Sequence, residues 1–300
     1  MTAHNRILER TESANDGSFS TRDWGLFGGI ALIWGASFLL IAIGLESLHP
    51  GAITFGRIGF GAAALAVMPA AQKRIEAEDR RRLVVLSLVW VAIPFTLFPI
   101  AEQYINSAVT GLLNGAMPIF AALVAAVFLR DFPRGAQLLG LLTGFTGVVL
   151  ISVPSIGEGS NAALGVVLVL LATVCYGFAV NIAAPLQRRY GSVAVMSKML
   201  ALATVWTLPY CVWGITESSY ELGPVLAVLV LGVIGTGTAF AIMASLVGRV
   251  GSTRASFTTY LIPFVSLALG VVFLGDEVQL LAIFGVVLVV AGAVLASRRR

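Results

Sequence analysis

Asn114 stands one helical turn before Pro118, and 145 residues further along Thr259, beside Tyr260, stands one turn before Pro263. Proline removes an amide donor and strips the carbonyl four residues earlier of its helical partner. A side-chain amide or hydroxyl next to such a carbonyl offers a solute both a donor and an acceptor. The chemistry these residues point to is reversible hydrogen bonding, with no bond made or broken. The alternative for Asn114 is a bond to a neighbouring helix, which polar side chains in apolar helices commonly make.

Other candidates fall into the same class. Trp34, Ser37 and Phe38 correspond roughly to Tyr176, Ala179 and Val180, with Asn181 adjacent. Aromatic rings among apolar residues can stack on a solute and present an edge donor, or can simply pack. The stretch GTGTAF at 235–240 offers Thr236 and Thr238 between flexible glycines, unless those hydroxyls bond back to their own helix. Arg57 sits inside an apolar run, so it must snorkel, face a carboxylate or contact a solute. Glu102 and Glu46 are its expected partners, and Lys198 reads as an anchor near a membrane face.

Catalysis and metal binding find little support. The only histidines are His4 and His49, and the two cysteines, Cys175 and Cys211, lie inside apolar runs without ligand-type spacing. Both cysteines read as packed side chains. No nucleophile–base pair, ligand set or cofactor fingerprint appears, which argues against an enzyme.

The elements that must position these residues follow from composition. Hydrophobic residues make up 58% of the 300-residue chain and charged residues 11%, against about half and a quarter in a typical soluble domain. Apolar stretches long enough to cross a bilayer as helices are expected at 24–44, 50–70, 83–101, 107–129, 135–152, 164–185, 192–215, 224–247, 252–274 and 278–296. None alternates as a barrel strand would. The expected fold is an all-α integral membrane protein of ten transmembrane helices, preceded by a flexible polar tail at 1–23.

Charge orients it. Lys73, Arg74, Arg80, Arg81, Arg82, Arg130, Arg134, Arg188, Arg189, Arg249 and Arg298 to Arg300 fall on one side, together with Arg6, Arg10 and Arg22. Glu46, His49, Glu102, Glu158, Glu217, Glu221, Asp276 and Glu277 fall on the other. By the positive-inside rule both termini are cytoplasmic. The net charge of +4 therefore serves topology and not nucleic acid; KRIEAEDRRR is broken by acids and reads as a solvated loop, with an acidic-lipid contact as the alternative.

The chain also repeats itself. MPIFAALVAAVFLRD at 117–131 reappears as IPFVSLALGVVFLGD at 262–276, and the same offset matches Ser107 with Ser252, Pro118 with Pro263, Asp131 with Asp276, Gly140 with Gly285 and Gly147 with Gly292. The unit is five helices. An odd unit makes the second copy cross in the opposite direction, an inverted repeat of the kind carriers use to alternate between two open states. The copies are 24–152 and 164–300, joined by an external linker at 153–163. Gly140 and Gly144 form a small-xxx-small step for close helix packing, which serves internal packing or dimerisation, so the oligomeric state stays open.

The motifs WGASF at Trp34, RIGFGAAAL at Arg57, SAVTGLLNGAMPIFAALVAAVFLRD with GLLTGFTGVVLI, and GSTRASFTTYLIPFVSLALGVVFLGDE with GVVLVVAGAVL resemble EamA-type members of the drug/metabolite transporter superfamily. The resemblance covers nearly the whole chain after the tail. It implies two inverted five-helix repeats around a central cavity, and export of amino acids or related small metabolites from a bacterial inner membrane without a cofactor. Leu-Arg-Asp at 129–131 departs from the family's Gly-Glu-like ending, which Gly275 to Glu277 nearly keeps. With no acid or histidine at a helix centre, facilitated export or weak coupling through Glu102 is expected. A channel would carry a continuous polar stripe, and a nucleotide-sugar carrier more buried basic charge than Arg57 alone.

Overall fold

The computed structural model describes residues 19–129, 133–157 and 159–297. The expectations at Asp131, Arg130, Glu158 and the terminal arginines, and those for most of the tail, lie outside these residues. Every described element is helical. Ten segments run in chain order: α1 Thr21–Leu45, α2 Pro50–Ala66, α3 80–101, α4 107–129, α5 Ala136–Gly157, α6 Ser160–Tyr190, α7 Ser192–Ile215, α8 Leu222–Val250, α9 252–274 and α10 Leu280–Ser297. Among the described residues eight helices are long and apolar enough to cross a membrane, and α2 and α10 pack among them. The connection between α5 and α6 is short, since both helices extend into the expected linker.

Local chemistry explains several boundaries. Ser20 and Asp23 form a capping box at the start of α1, each side chain holding the other's backbone amide, which satisfies donors a helix start leaves open. Pro50 opens α2 at a position where its missing N–H costs nothing. The sixth helix ends at Gly191, whose φ of 87° lies where only glycine is comfortable. Outward faces carry exposed Val272, Phe273 and Phe284, as a helix surrounded by hydrocarbon requires.

The packing repeats as the sequence does. Helices α5 and α10 pair, as do α2 and α7 and the first part of α4 (107–114) with α9; α3 and α4 pack on α6 as α8 and α9 pack on α1. Each pairing maps onto itself or another when every segment is exchanged for the one five further on. At the α5–α10 seam a side chain on Gly140 would strike the Gly292 backbone, and one on Gly147 the Gly285 backbone. Those are the two matched glycine pairs, crossed as at a two-fold interface.

Ion pairs fix the ends. Asp23 at the start of α1 binds Arg249 at the end of α8. Arg189 at the end of α6 binds Glu76, Glu78 and Asp79 in the α2–α3 connection. At the other end Asp276, before α10, accepts from Ser107 Oγ (2.8 Å) and the Ala108 amide (2.9 Å) at the start of α4.

Candidate functional site

Both proline-bearing helices are interrupted where the polar residues stand. In α4 the regular helix stops at Asn114 and resumes at Met117, one residue before Pro118. In α9 a short helix to Ser256 gives way to a tighter turn at Phe257–Tyr260, and regular helix resumes at Ile262, just before Pro263. The interruptions adjoin, because a side chain on Gly115 would strike the Pro263 ring. Asn114 Oδ1 is buried there without a hydrogen-bond partner, and so is Thr258 Oγ1. Unpartnered buried acceptors are costly, so this is a place where a solute's donors would be welcome.

The neighbouring hydroxyls are more self-contained. Thr259 Oγ1 donates to the Ser256 carbonyl at 2.7 Å, Ser37 Oγ to the Ile33 carbonyl at 3.3 Å, and the Tyr260 ring lies 5.7 Å from Phe257. Asn181 Nδ2 donates to the Gly177 and Ala121 carbonyls, at 2.8 and 3.1 Å, tying α6 to α4. Trp34 meets Phe240 edge-on at 5.8 Å. A string of rings runs from Phe38 through Phe98 to Tyr176, with centroids 5.6 and 6.0 Å apart, joining α1, α3 and α6.

Arg57 does not pair with Glu102 or Glu46. Its Nε donates to Thr236 Oγ1 at 3.2 Å, and its guanidinium lies 3.9 Å from the Phe95 ring centroid. A ring face and a hydroxyl replace a counter-ion, because a guanidinium is planar, weakly hydrated and suited to stacking. Phe95 is positioned in turn: Pro99 withholds the amide that would bond the Phe95 carbonyl, and Thr54 Oγ1 donates to it at 3.1 Å. The residues sequence reasoning missed are therefore Phe95, Phe98, Thr54 and Thr258; only the proline four residues after Phe95 signalled any of them.

Thr236 lies in a π-helical stretch, Val233–Thr238 of α8, and its equivalent Ser87–Ala92 in α3 is wound the same way. Ser87 Oγ accepts from Trp206 Nε1 of α7 at 3.0 Å and donates to the Val84 carbonyl, just as Thr236 accepts from Arg57 of α2 and donates to the Leu231 carbonyl. Each half inserts a donor into the widened turn of the other. Such turns recur at functional sites.

Glu102, in the connection after α3, has both carboxyl oxygens enclosed without partners. Burial holds this acid well above the ordinary carboxylate range; nearby Asp276 adds to the effect and Arg57 opposes it. Among the described residues no cluster of His, Cys, Asp and Glu could hold a metal ion.

Two copies of one family pattern lie along the chain: the model of the EamA-like transporter family matches residues 24–153 and again 163–298. The chain belongs to the EamA-like transporter family. This EamA-like protein is 25% identical over 279 residues to an uncharacterized transporter of Archaeoglobus fulgidus, spanning 93% of this chain and 100% of that one. It is 26% identical to a probable terminal-alkyne amino-acid exporter of Streptantibioticus cattleyicolor, over 89% of this chain and 90% of the relative. A probable amino-acid metabolite efflux pump of Escherichia coli is 22% identical over 88% of this chain and 90% of its own. A solved crystal structure shares the fold with a TM-score of 0.64 at 18% identity, covering 93% of this chain and 97% of the other.

Proposed function

We propose that this transporter is a secondary carrier exporting amino acids, aromatic or other neutral ones, or related small metabolites across a bacterial inner membrane, with both termini cytoplasmic. The observation that carries this reading is the junction of two broken helices, α4 and α9, where Gly115 abuts Pro263 beside the unpartnered Asn114 oxygen. Discontinuous helices at the interface of two repeats are where carriers bind solute.

Alternating access follows from the repeat. Residues 24–152 and 164–300 act as two inverted five-helix units that exchange conformations around the junction, a reading supported by the self-mapping packing and by the two separate family matches. Asn114 and the carbonyls freed by Pro118 and Pro263 hold the solute's polar groups. Trp34, Phe38, Tyr176 and Tyr260 bound its apolar part, and Ser37, Asn181, Thr236 and Thr259 hold the helices that present them. The exporter names of two relatives support the amino-acid class. Arg57 and Glu102 serve structure and weak coupling, with Glu102 taking and releasing a proton as its surroundings open.

Purified protein in liposomes, tested for exchange of a panel of labelled amino acids, checks this. Saturable exchange of at least one neutral amino acid is expected. Flux that rises linearly with concentration for every solute that crosses overturns it in favour of a pore.

A further inference from the structure

A cleft of about 620 Å³ opens between α3 and α7 at the basic end of the bundle, lined by Arg74, Arg80 and Lys198 with Leu83, Val84 and Leu202. Among the described residues none of these three cations has a carboxylate within ion-pair distance. The acids of the same connection are engaged elsewhere: Arg189 takes Glu76, Glu78 and Asp79, and Arg82 also lies 3.7 Å from Asp79. Those ion pairs compensate the acids within the connection itself and leave Arg74, Arg80 and Lys198 as the charges that line the cleft.

The apolar wall continues toward the middle of the bundle. Val84 and Leu202 are half-buried in the cleft, and exposed Val205 and Trp206, one turn after Ala201 and Leu202, extend the same face along α7. Three cations above a greasy groove match one kind of molecule: a phosphate head with an acyl chain below it. A soluble anion would use only the charges, and a zwitterionic lipid would bring its own cation to the site.

We infer that this cleft binds an anionic phospholipid, its phosphate between Arg74, Arg80 and Lys198 and one chain against Val84, Ala201 and Leu202. On the orientation proposed above the lipid belongs to the cytoplasmic leaflet. The site is separate from the α4–α9 junction, and it clamps α3 to α7, the helices that Trp206 and Ser87 already join.

The test uses the full chain in detergent, titrated with phosphatidylglycerol and with phosphatidylcholine and read by native mass spectrometry. Phosphatidylglycerol is expected to occupy one site at least about tenfold more tightly. The combined Arg74→Gln, Arg80→Gln and Lys198→Gln variant is expected to lose on the order of a hundredfold, each surface charge being worth roughly fivefold. Arg81→Gln, Arg134→Gln and Arg188→Gln together remove as much charge outside the cleft and are expected to retain binding. Ala201→Trp fills the groove with all three charges in place, and weakened phosphatidylglycerol binding there identifies a lipid. Equal losses in the two triple variants overturn the site. Displacement of the lipid by millimolar inorganic phosphate, with Ala201→Trp unaffected, overturns the lipid as occupant.

Discussion

Arg57 Nε donates to Thr236 Oγ1 across 3.2 Å, joining α2 of the first half to the π-turn of α8 in the second. The buried cation has a hydroxyl and the Phe95 ring where a carboxylate was expected. Charged hydrogen bonds are worth about 1.5–3 kcal/mol. A double-mutant cycle of Arg57→Gln with Thr236→Val, read by unfolding in detergent, should return a coupling in that range. Additive losses would place the stabilisation in the Phe95 stack.

The α5–α10 seam makes a sharper steric forecast. Gly140→Val is expected to destabilise the protein by roughly 1–3 kcal/mol, because the new side chain meets the Gly292 backbone, which cannot swing aside. Gly28→Ala in α1, where an added methyl meets nothing within 4 Å, should gain up to about 1 kcal/mol from helix propensity. Thermal unfolding of the two variants distinguishes seam from surface.

Asp276 caps α4 through the Ser107 hydroxyl and the Ala108 amide. Asp276→Ala should therefore cost about 1–2 kcal/mol. Faster hydrogen exchange should be confined to the first turn of α4.

Ordinary carboxyl groups titrate near 4.5, and Glu102 is held well above that by burial. Between those values the folded protein binds more protons at this site than the unfolded chain. This site's contribution to stability is thus present at low pH and falls as pH rises, by up to about 1.4 kcal/mol per pH unit. Glu102→Gln should remove that part of the slope, as measured by unfolding in detergent across pH 5–7 (about the physiological window).

Much of this architecture is legible in the sequence, for a physical reason. Bilayer thickness sets the length of each apolar stretch, so α1 and α7 are readable by eye, and duplication leaves Pro118 and Pro263 in register. The glycines matched at 140 and 285, and at 147 and 292, are the ones that cross at the seam. The partner of Arg57 was not legible, because Thr236 is 179 residues away and both Glu102 and a ring satisfy the same local logic. Nor was the inward hydroxyl of α9. The turn tightens over Phe257–Tyr260, and that change of pitch encloses the Thr258 hydroxyl while Thr259 bonds back to its own chain.

Transport residues are expected to separate from stability residues. Asn114→Ala removes an unpartnered buried oxygen, so unfolding should be unchanged or slightly improved while exchange of the transported solute falls at least about tenfold, as when a site loses a hydrogen bond to its ligand. Equal transport by Asn114→Ala and the native protein would remove this residue from the solute path.

The central claim is that the α4–α9 junction opens to each side of the membrane in turn. Its most direct test is Met117→Cys, beside the interruption of α4, with the free Cys175 and Cys211 replaced by serine, labelled by a membrane-impermeant thiol reagent from either face of sealed vesicles. The account predicts labelling from both faces, slowed from both by saturating transported solute. Labelling from one face only, unaffected by solute, would contradict it.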